Sequence, residues 1–300
     1  NFVIASSILS DFEDTDVDFD EIKNLYKLSP EPFKNQRAIN IAMTMVYSRM
    51  SDYKGMIFHL EKVVKSNDFM VTDLCNYGYW RCFDKSWAQS DFFKFGKFLN
   101  DNLKEYPQEK IIKFSNKKNE KIKIGFLSAD IKEAHSVTYF LKTVLRHYDK
   151  NKFEIILFTN QIKEDKTSEE VINLVDETIN VGRYNDLKAL NTIREHNLDI
   201  MIDIMGYTSR NRIELYKTRL AKKQVIWMGY CNTSGLNNMD YIIADPNLIK
   251  ENEKKYFSEK VLYLPEIWNC HSGLSFVRKE NPAPFLKNNY ITFGSFNNPA

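Results

Sequence analysis

Residues Gly206–Asp245, GYTSRNRIELYKTRLAKKQVIWMGYCNTSGLNNMDYIIAD, decide how the chain reads. A glycine turn opens the run, RIELYKT has helical spacing, and QVIWM is a continuous apolar segment. Gly229–Gly235 is a second turn-forming stretch, and MDYIIAD is a further strand. Turn, helix, strand, turn and strand in close succession are α/β punctuation. In open α/β sheets ligands sit beyond the carboxyl ends of strands, where glycine lets the backbone approach them.

Upstream, the same alternation continues. KIKIGFLSAD (121–130), FEIILFT (153–159), TINVG (178–182) and DIMIDIMG (199–206) read as strands. VTYFLKTVLRHY (137–148), residues 168–175 and LKALNTIREHN (187–197) read as the helices between them, and KVLYLPE (260–266) as a later strand. Strand and helix in strict turn predict a parallel, doubly wound sheet with helices on both faces. Right-handed crossovers then place the strand ends near Asp130, Gly206 and Gly229 along one edge.

Residues 1–115 read as helices. AINIAMTMVYSRM (38–50) and SDYKGMIFHLEKVVKSND (51–68) form an antiparallel pair, with Tyr53, Ile57, Leu60 and Val64 at helical spacing. Tyr47 and Gly55 fall near positions of a tetratricopeptide unit, and an ordinary helical bundle is the alternative. His59 is read as a structural or surface histidine. The aromatic stretch over 71–105 is read as packing that joins the helices to the sheet. The expected organisation is a helical region at 1–115, a sheet lobe at 120–270, a linker at 271–288, and at 289–300 the first strand of another α/β unit. The chain opens at Asn1 without a signal-peptide pattern and closes just after ITFGSF, so we expect it to be part of a longer protein.

The 42 Lys and Arg against 40 Asp and Glu give a net charge of +2, which makes no electrostatic case for nucleic acid. The Lys-rich run at 110–123 is read as a solvated linker. Cys75, Cys82, Cys231 and Cys270 fit no zinc spacing, and free thiols in a cytoplasmic protein are the simplest account. No apolar run is long enough to cross a membrane.

Three strand ends carry candidate chemistry. Asp130 and His135, in the loop after the first sheet strand, offer a carboxylate and an imidazole before a helix N-terminus that can hold an anion. Gly206-Tyr207-Thr208 with Arg212 and Arg219 is the second group; Arg212 suits a carboxylate or phosphate, or an ion pair with Glu214 or Asp203. Gly229-Tyr230-Cys231-Asn232-Thr233-Ser234-Gly235 is the third, a tight loop with backbone donors and two hydroxyls. A dinucleotide glycine fingerprint, a serine-hydrolase elbow, a P-loop and a zinc-protease motif are all absent from the sequence.

These motifs together resemble the catalytic region of the O-linked N-acetylglucosamine transferase family, which includes SPINDLY-type fucosyltransferases. The residues that carry the resemblance are Gly206-Tyr207-Thr208, Arg212, Arg219, Gln224, Trp227, Gly229-Tyr230, Thr233-Ser234-Gly235, Met239-Asp240-Tyr241 and Asp245, with IGFLSAD and HSVTYFL upstream. The resemblance implies a tetratricopeptide region followed by the first Rossmann-like lobe of a GT-B glycosyltransferase, with the second lobe largely missing. It implies an inverting transfer of a sugar, foremost N-acetylglucosamine from a UDP-sugar, to Ser or Thr of acceptor proteins presented by the helices. No metal, nucleic-acid or membrane partner is implied.

By the same resemblance, His135 and Asp130 are catalytic, Gly229, Cys231 and Asn298 meet the donor, and Tyr207, Thr208 and Arg212 shape the cleft. The family's catalytic lysine falls beyond the chain. Cys231-Asn232 stands where the family has Pro-Gly, Val137 replaces a Thr, and one extra residue separates Asp130 from His135. These departures leave the sugar open. The alternatives are a UDP-glucose or GDP-fucose donor, a flagellar or surface acceptor, and a non-catalytic scaffold that binds nucleotide sugar.

Overall fold

The computed structural model describes residues 18–107, 121–133, 135–161, 165–271 and 281–294. Asn298, most of the Lys-rich run and the first residues of the helical region lie outside the described residues.

The helical part begins with α1 (Phe19–Leu28), started by the Asp18 carboxylate, which accepts from the Asp20 and Glu21 amides. Pro30 ends it, and the single turn α2 (Glu31–Lys34) follows. The helices α3 (Arg37–Arg49) and α4 (Tyr53–Lys65) form a hairpin closed by Asp52, which accepts from the Gly55 amide at 3.0 Å. A Cβ on Gly55 would lie 2.2 Å from the Tyr47 ring, so glycine lets the two helices touch. Then come α5 (Val71–Arg81) and α6 (Gln89–Asn102).

The sheet has seven strands in the order β3-β2-β1-β4-β5-β6-β7, all parallel. They are β1 (Ile122–Ser128), β2 (Phe153–Thr159), β3 (Glu177–Asn180), β4 (Ile200–Asp203), β5 (Lys223–Ile226), β6 (Tyr241–Ala244) and β7 (Lys260–Tyr263). The intervening helices are α7 (Ser136–His147), α8 (Lys166–Ile172) and α9 (Asp186–Glu195), and α10 (Phe285–Asn288) is a last short turn. A parallel strand buried on both faces reads as an unbroken apolar run. Residues Ile155, Ile156, Leu157 and Phe158 of β2 show this: all four are buried, and they alternate between two cores. Ile155 and Leu157 pack with Leu141 and Leu145 of α7 and Val171 of α8. Ile156 and Phe158 join a larger core that contains Ala189, Leu190 and Ile193 of α9.

That larger core also contains Ile57, Leu60, Leu74, Tyr77, Phe95 and Leu99 from the helical part, with Tyr207, Leu236 and Met239 from the sheet part. Phe95 lies edge-on to Tyr207 and to Tyr77. Burial of this kind contributes about 1.5–3 kcal/mol for each large side chain, so the two parts are welded.

Two elements differ from the sequence reading. RIELYKT forms only a 3-10 turn, Ile213–Lys217, because its ends are tethered elsewhere: Arg212 to the loops after β2 and β3, and the Lys217 ammonium to the Asn100 carbonyl at 2.7 Å. Residues 290–294 are exposed and form no strand. A strand needs a partner to pair with, and among the described residues none stands beside them.

Candidate functional site at the switch point of the sheet

The chain enters the sheet at β1, runs outward to β2 and β3, then returns to lay β4 on the other side of β1. Strand order therefore reverses between β1 and β4, and a crevice opens beyond their carboxyl ends. A cavity of about 350 Å³ lies there. His135, Ser136 and Val137 line it from the loop after β1 and the start of α7, Thr208 from the loop after β4, and Gly229–Cys231 from the loop after β5. Trp268 and Phe140 form one aromatic wall. Tyr79, Cys82 and Phe83, from the end of α5 and just beyond it, form another.

His135 is the N-cap residue of α7, in extended conformation, so its side chain stands at the positive end of the helix. Its Nε2 lies 3.5 Å from Asp130 Oδ1, and Lys132 Nζ lies 3.5 Å from the same oxygen. The loop is fixed by Thr138, whose hydroxyl donates to the Asp130 carbonyl at 2.8 Å and accepts from the Lys132 amide at 3.1 Å. Burial holds the His135 pKa below its ordinary value of 6.5; the Asp130 carboxylate opposes this and Lys132 reinforces it. The imidazole is thus neutral at neutral pH. Its Nδ1 is shielded from bulk water and has no hydrogen-bond partner among the described residues.

The loop after β5 turns through two left-handed residues, Met228 and Gly229, with φ of 62° and 72°. A Cβ on Gly229 would lie 2.4 Å from the Ile204 carbonyl oxygen, so only glycine fits. Tyr230 stacks on Tyr207 with ring centroids 4.2 Å apart, and the Tyr207 hydroxyl donates to the Ser234 carbonyl at 2.7 Å. Tyr207 is buried and supports the loop from beneath, whereas Thr208 reaches the cavity.

The Thr233 and Ser234 hydroxyls do not face the cavity chemistry. Thr233 donates to Glu259 Oε2 at 2.7 Å, and the Ser234 amide and hydroxyl both bind Oε1. Glu259 is buried, and its pKa is raised by that burial against the pull of the Ser234 and Thr233 hydrogen bonds. A single Glu ahead of β7 gives no sequence signal, and the reading missed it.

Arg212 lies outside the cavity lining. Its guanidinium bonds Asp186 at 2.8 Å, Asn160 Oδ1 at 2.9 Å, and the Val181 and Tyr184 carbonyls. It pairs with neither Glu214 nor Asp203. Asp203 instead accepts from the Met205 and Gly206 amides, and burial pushes its pKa up to about 6. Asp245 and Trp227 act on the aromatic wall: the Trp268 amide donates to Asp245 at 2.8 Å, and the Trp227 indole donates to the Trp268 carbonyl at 2.8 Å. Arg219 pairs with Asp240 through two bonds. The sequence reading did not anticipate Phe83, Phe140 and Trp268 as cavity residues, because lone aromatics read as core.

The sequence profile of glycosyl transferase family 41 matches residues 100–274, more than half of the chain. The chain belongs to glycosyl transferase family 41. Two family relatives are described as probable UDP-N-acetylglucosamine–peptide N-acetylglucosaminyltransferase SPINDLY. The one from Solanum lycopersicum is 32% identical over 202 residues, which is 66% of this chain and 22% of the relative. The one from Petunia hybrida is 33% identical over 181 residues, 59% of this chain and 19% of the relative. This family 41 chain therefore spans about a fifth of the length of these two relatives. A solved structure, a K341M mutant of Thermobaculum terrenum O-GlcNAc transferase, superposes with a TM-score of 0.73 at 17% identity, covering 84% of this chain and 48% of that one. The shared fold is a helical region followed by a parallel sheet of GT-B type. Among the described residues no helix is long and apolar enough to cross a membrane.

Proposed function

We propose that the whole protein is an inverting glycosyltransferase that moves a sugar, foremost N-acetylglucosamine, from a UDP-sugar to Ser or Thr hydroxyls of acceptor proteins. The observation that carries this reading is the cavity at the switch point, where a neutral, half-buried His135 backed by Asp130 stands at a helix N-terminus. The acceptor oxygen attacks the anomeric carbon and its proton passes to a base. The bond to the diphosphate breaks on the opposite side, and the nucleoside diphosphate leaves with the electron pair. His135 is the base, and Asp130 orients it and steadies the imidazolium that forms. The positive end of α7 favours the developing negative charge, so the reading calls for no divalent cation.

Gly229 and Cys231 meet the donor sugar, Tyr207 and Thr208 hold the cleft in shape, and Asn298 meets the donor from the segment that would open a second lobe. The acceptor reaches the cavity along the helical region, because the end of α5 forms one of its walls. Cys231 and Asn232 favour a second reading in which the donor carries another sugar. Asn232 accepts from the Gln89 side-chain amide through its Oδ1 at 2.9 Å, and the Cys231 side chain lies on the cavity. The full-length protein offered a panel of UDP-N-acetylglucosamine, UDP-glucose and GDP-fucose with candidate acceptor proteins tests both. Mass gain on an acceptor from one donor establishes the transfer and its sugar. Tight donor binding without nucleotide release from any acceptor mixture defeats the enzymatic reading in favour of a scaffold.

A further inference from the structure

Two thiols face the cavity from different parts of the fold. Cys82 follows the last residue of α5, and Cys231 sits in the loop after β5. The Asn232 side-chain amide is their shared donor, 3.4 Å from the Cys82 sulfur and 3.7 Å from the Cys231 sulfur. The Asn232 oxygen is held in turn by Gln89, which fixes the amide between the two sulfurs. Cys231 is exposed, so a small solute can reach it, whereas Cys82 is half-buried behind it. We propose that Cys82 and Cys231 are a peroxide-sensitive dithiol, oxidised to a disulfide that ties α5 to the loop after β5 across the cavity wall.

The asymmetry of the pair suits that chemistry. The neighbouring Cys82 thiol, the other sulfur on the Asn232 amide, lowers the Cys231 pKa to about 7 against an opposing desolvation. The nearness of Cys231, with burial, raises the Cys82 pKa, and the Cys82 thiol itself lies 3.6 Å from the Gly78 carbonyl oxygen. Cys231 is therefore the nucleophile near neutral pH and Cys82 the resolving thiol. The Cys231 thiolate attacks one peroxide oxygen, the O–O bond breaks, and the departing hydroxide takes up a proton as water. Cys231 is then a sulfenic acid. The Cys82 sulfur attacks the Cys231 sulfur, the S–O bond breaks, and the Cys82 proton leaves with the hydroxide as a second water. Two thiols and one peroxide become one disulfide and two waters; the sulfurs are oxidised and the peroxide oxygens reduced. Cys75 provides the internal contrast: burial pushes it up to about 12, and it is inert by comparison.

The bridge itself is independent of the substrate. Its effect on donor binding rests on the proposed function, since Gly229–Cys231 then form the sugar loop. The test takes reduced full-length protein, titrates it with hydrogen peroxide, and maps the thiols by peptide mass spectrometry without reduction. The binding of UDP-N-acetylglucosamine is measured by calorimetry before oxidation, after it, and after dithiothreitol.

The expected result is a Cys82–Cys231 linked peptide pair, a fall in donor affinity of at least ~10-fold, and recovery with dithiothreitol. In Cys82→Ser the Cys231 sulfenic acid is expected to accumulate and be trapped by dimedone, with no bridge. Over-oxidation of Cys231 in the wild type while Cys82 stays a free thiol would overturn the pair. A bridge that leaves donor affinity unchanged would overturn its blocking role. A bridge that forms in protein whose reduced state binds none of the donor panel would uphold the pair and sink the donor assignment instead.

Discussion

Replacing His135 with alanine in the full-length protein is expected to lower sugar transfer at least ~10-fold without lowering the melting temperature, as loss of a proton-transfer group should. Near-normal turnover would remove His135 from the chemistry. The pH profile is a sharper check. The imidazole titrates below 6.5, so kcat/KM should hold through that value on acidification and fall only below it. Asp130 raises the His135 pKa, so Asp130→Asn should move that acid limb to still lower pH; a limb displaced toward neutrality would contradict the geometry. At this scale the sequence was informative where a residue type carries its own chemistry. The Asp130–His135 loop stood out as a carboxylate and an imidazole between a strand and a helix, with a plain polar loop as the equal alternative; the structure sets His135 on the cavity with Asp130 3.5 Å away. Thr233, Ser234, Gln224 and Arg219 were visible as a motif, yet their side chains serve as struts for Glu259, the Tyr216 and Asn238 carbonyls, and Asp240. A motif records that a residue is needed and not which way it points.

Among the elements, α4 carries an acid-sensitive joint. His59 is fully buried among the Tyr26, Tyr47 and Phe58 rings, with Nδ1 2.9 Å from Asn40 Oδ1. Burial, aided by the nearby Lys62 charge, lowers its pKa to about 4. The unfolded chain takes up the proton near 6.5 and the folded chain only near 4, so stability is lost as pH falls through that window. The loss is on the order of 3 kcal/mol. Urea unfolding at pH 7 and pH 4.5 should show it, and His59→Gln should flatten the difference; an unchanged slope would place the acid response elsewhere. Helices α3 and α4 were readable from their periodicity and the seven strands as short apolar-rich runs between turns, unbroken in β2 because both its faces are buried. The 3-10 turn after β4 was not, since its helical pattern yields to tethers at Arg212 and Lys217 that lie far away in sequence. The cavity wall from the end of α5 was hidden for the same reason: only tertiary contact brings Phe83 and Trp268 to one cavity.

For the molecule as a whole, one core spans helices and sheet, so neither should stand alone. Residues 121–271 expressed without the helices would expose Tyr207, Leu236 and Met239, and should bind a hydrophobic dye and lose a cooperative thermal transition. A sharp, dye-free transition for that piece would show the shared core to be dispensable. Where α6 meets the loop after β5, Gly96 and Gly235 touch backbone to backbone; a Cβ on Gly235 would lie 2.0 Å from the Gly96 carbonyl carbon. Gly235→Ala should therefore cost stability and loosen the cavity, seen as a lower melting temperature and weaker donor binding. That junction has no side chain to act as a cushion. Cores absorb small displacements by rotamer changes, but two main chains in direct contact pass a push straight through. The helical region and the loop after β5 thus form a stiff lever, and strain placed on the helices arrives at the cavity undamped.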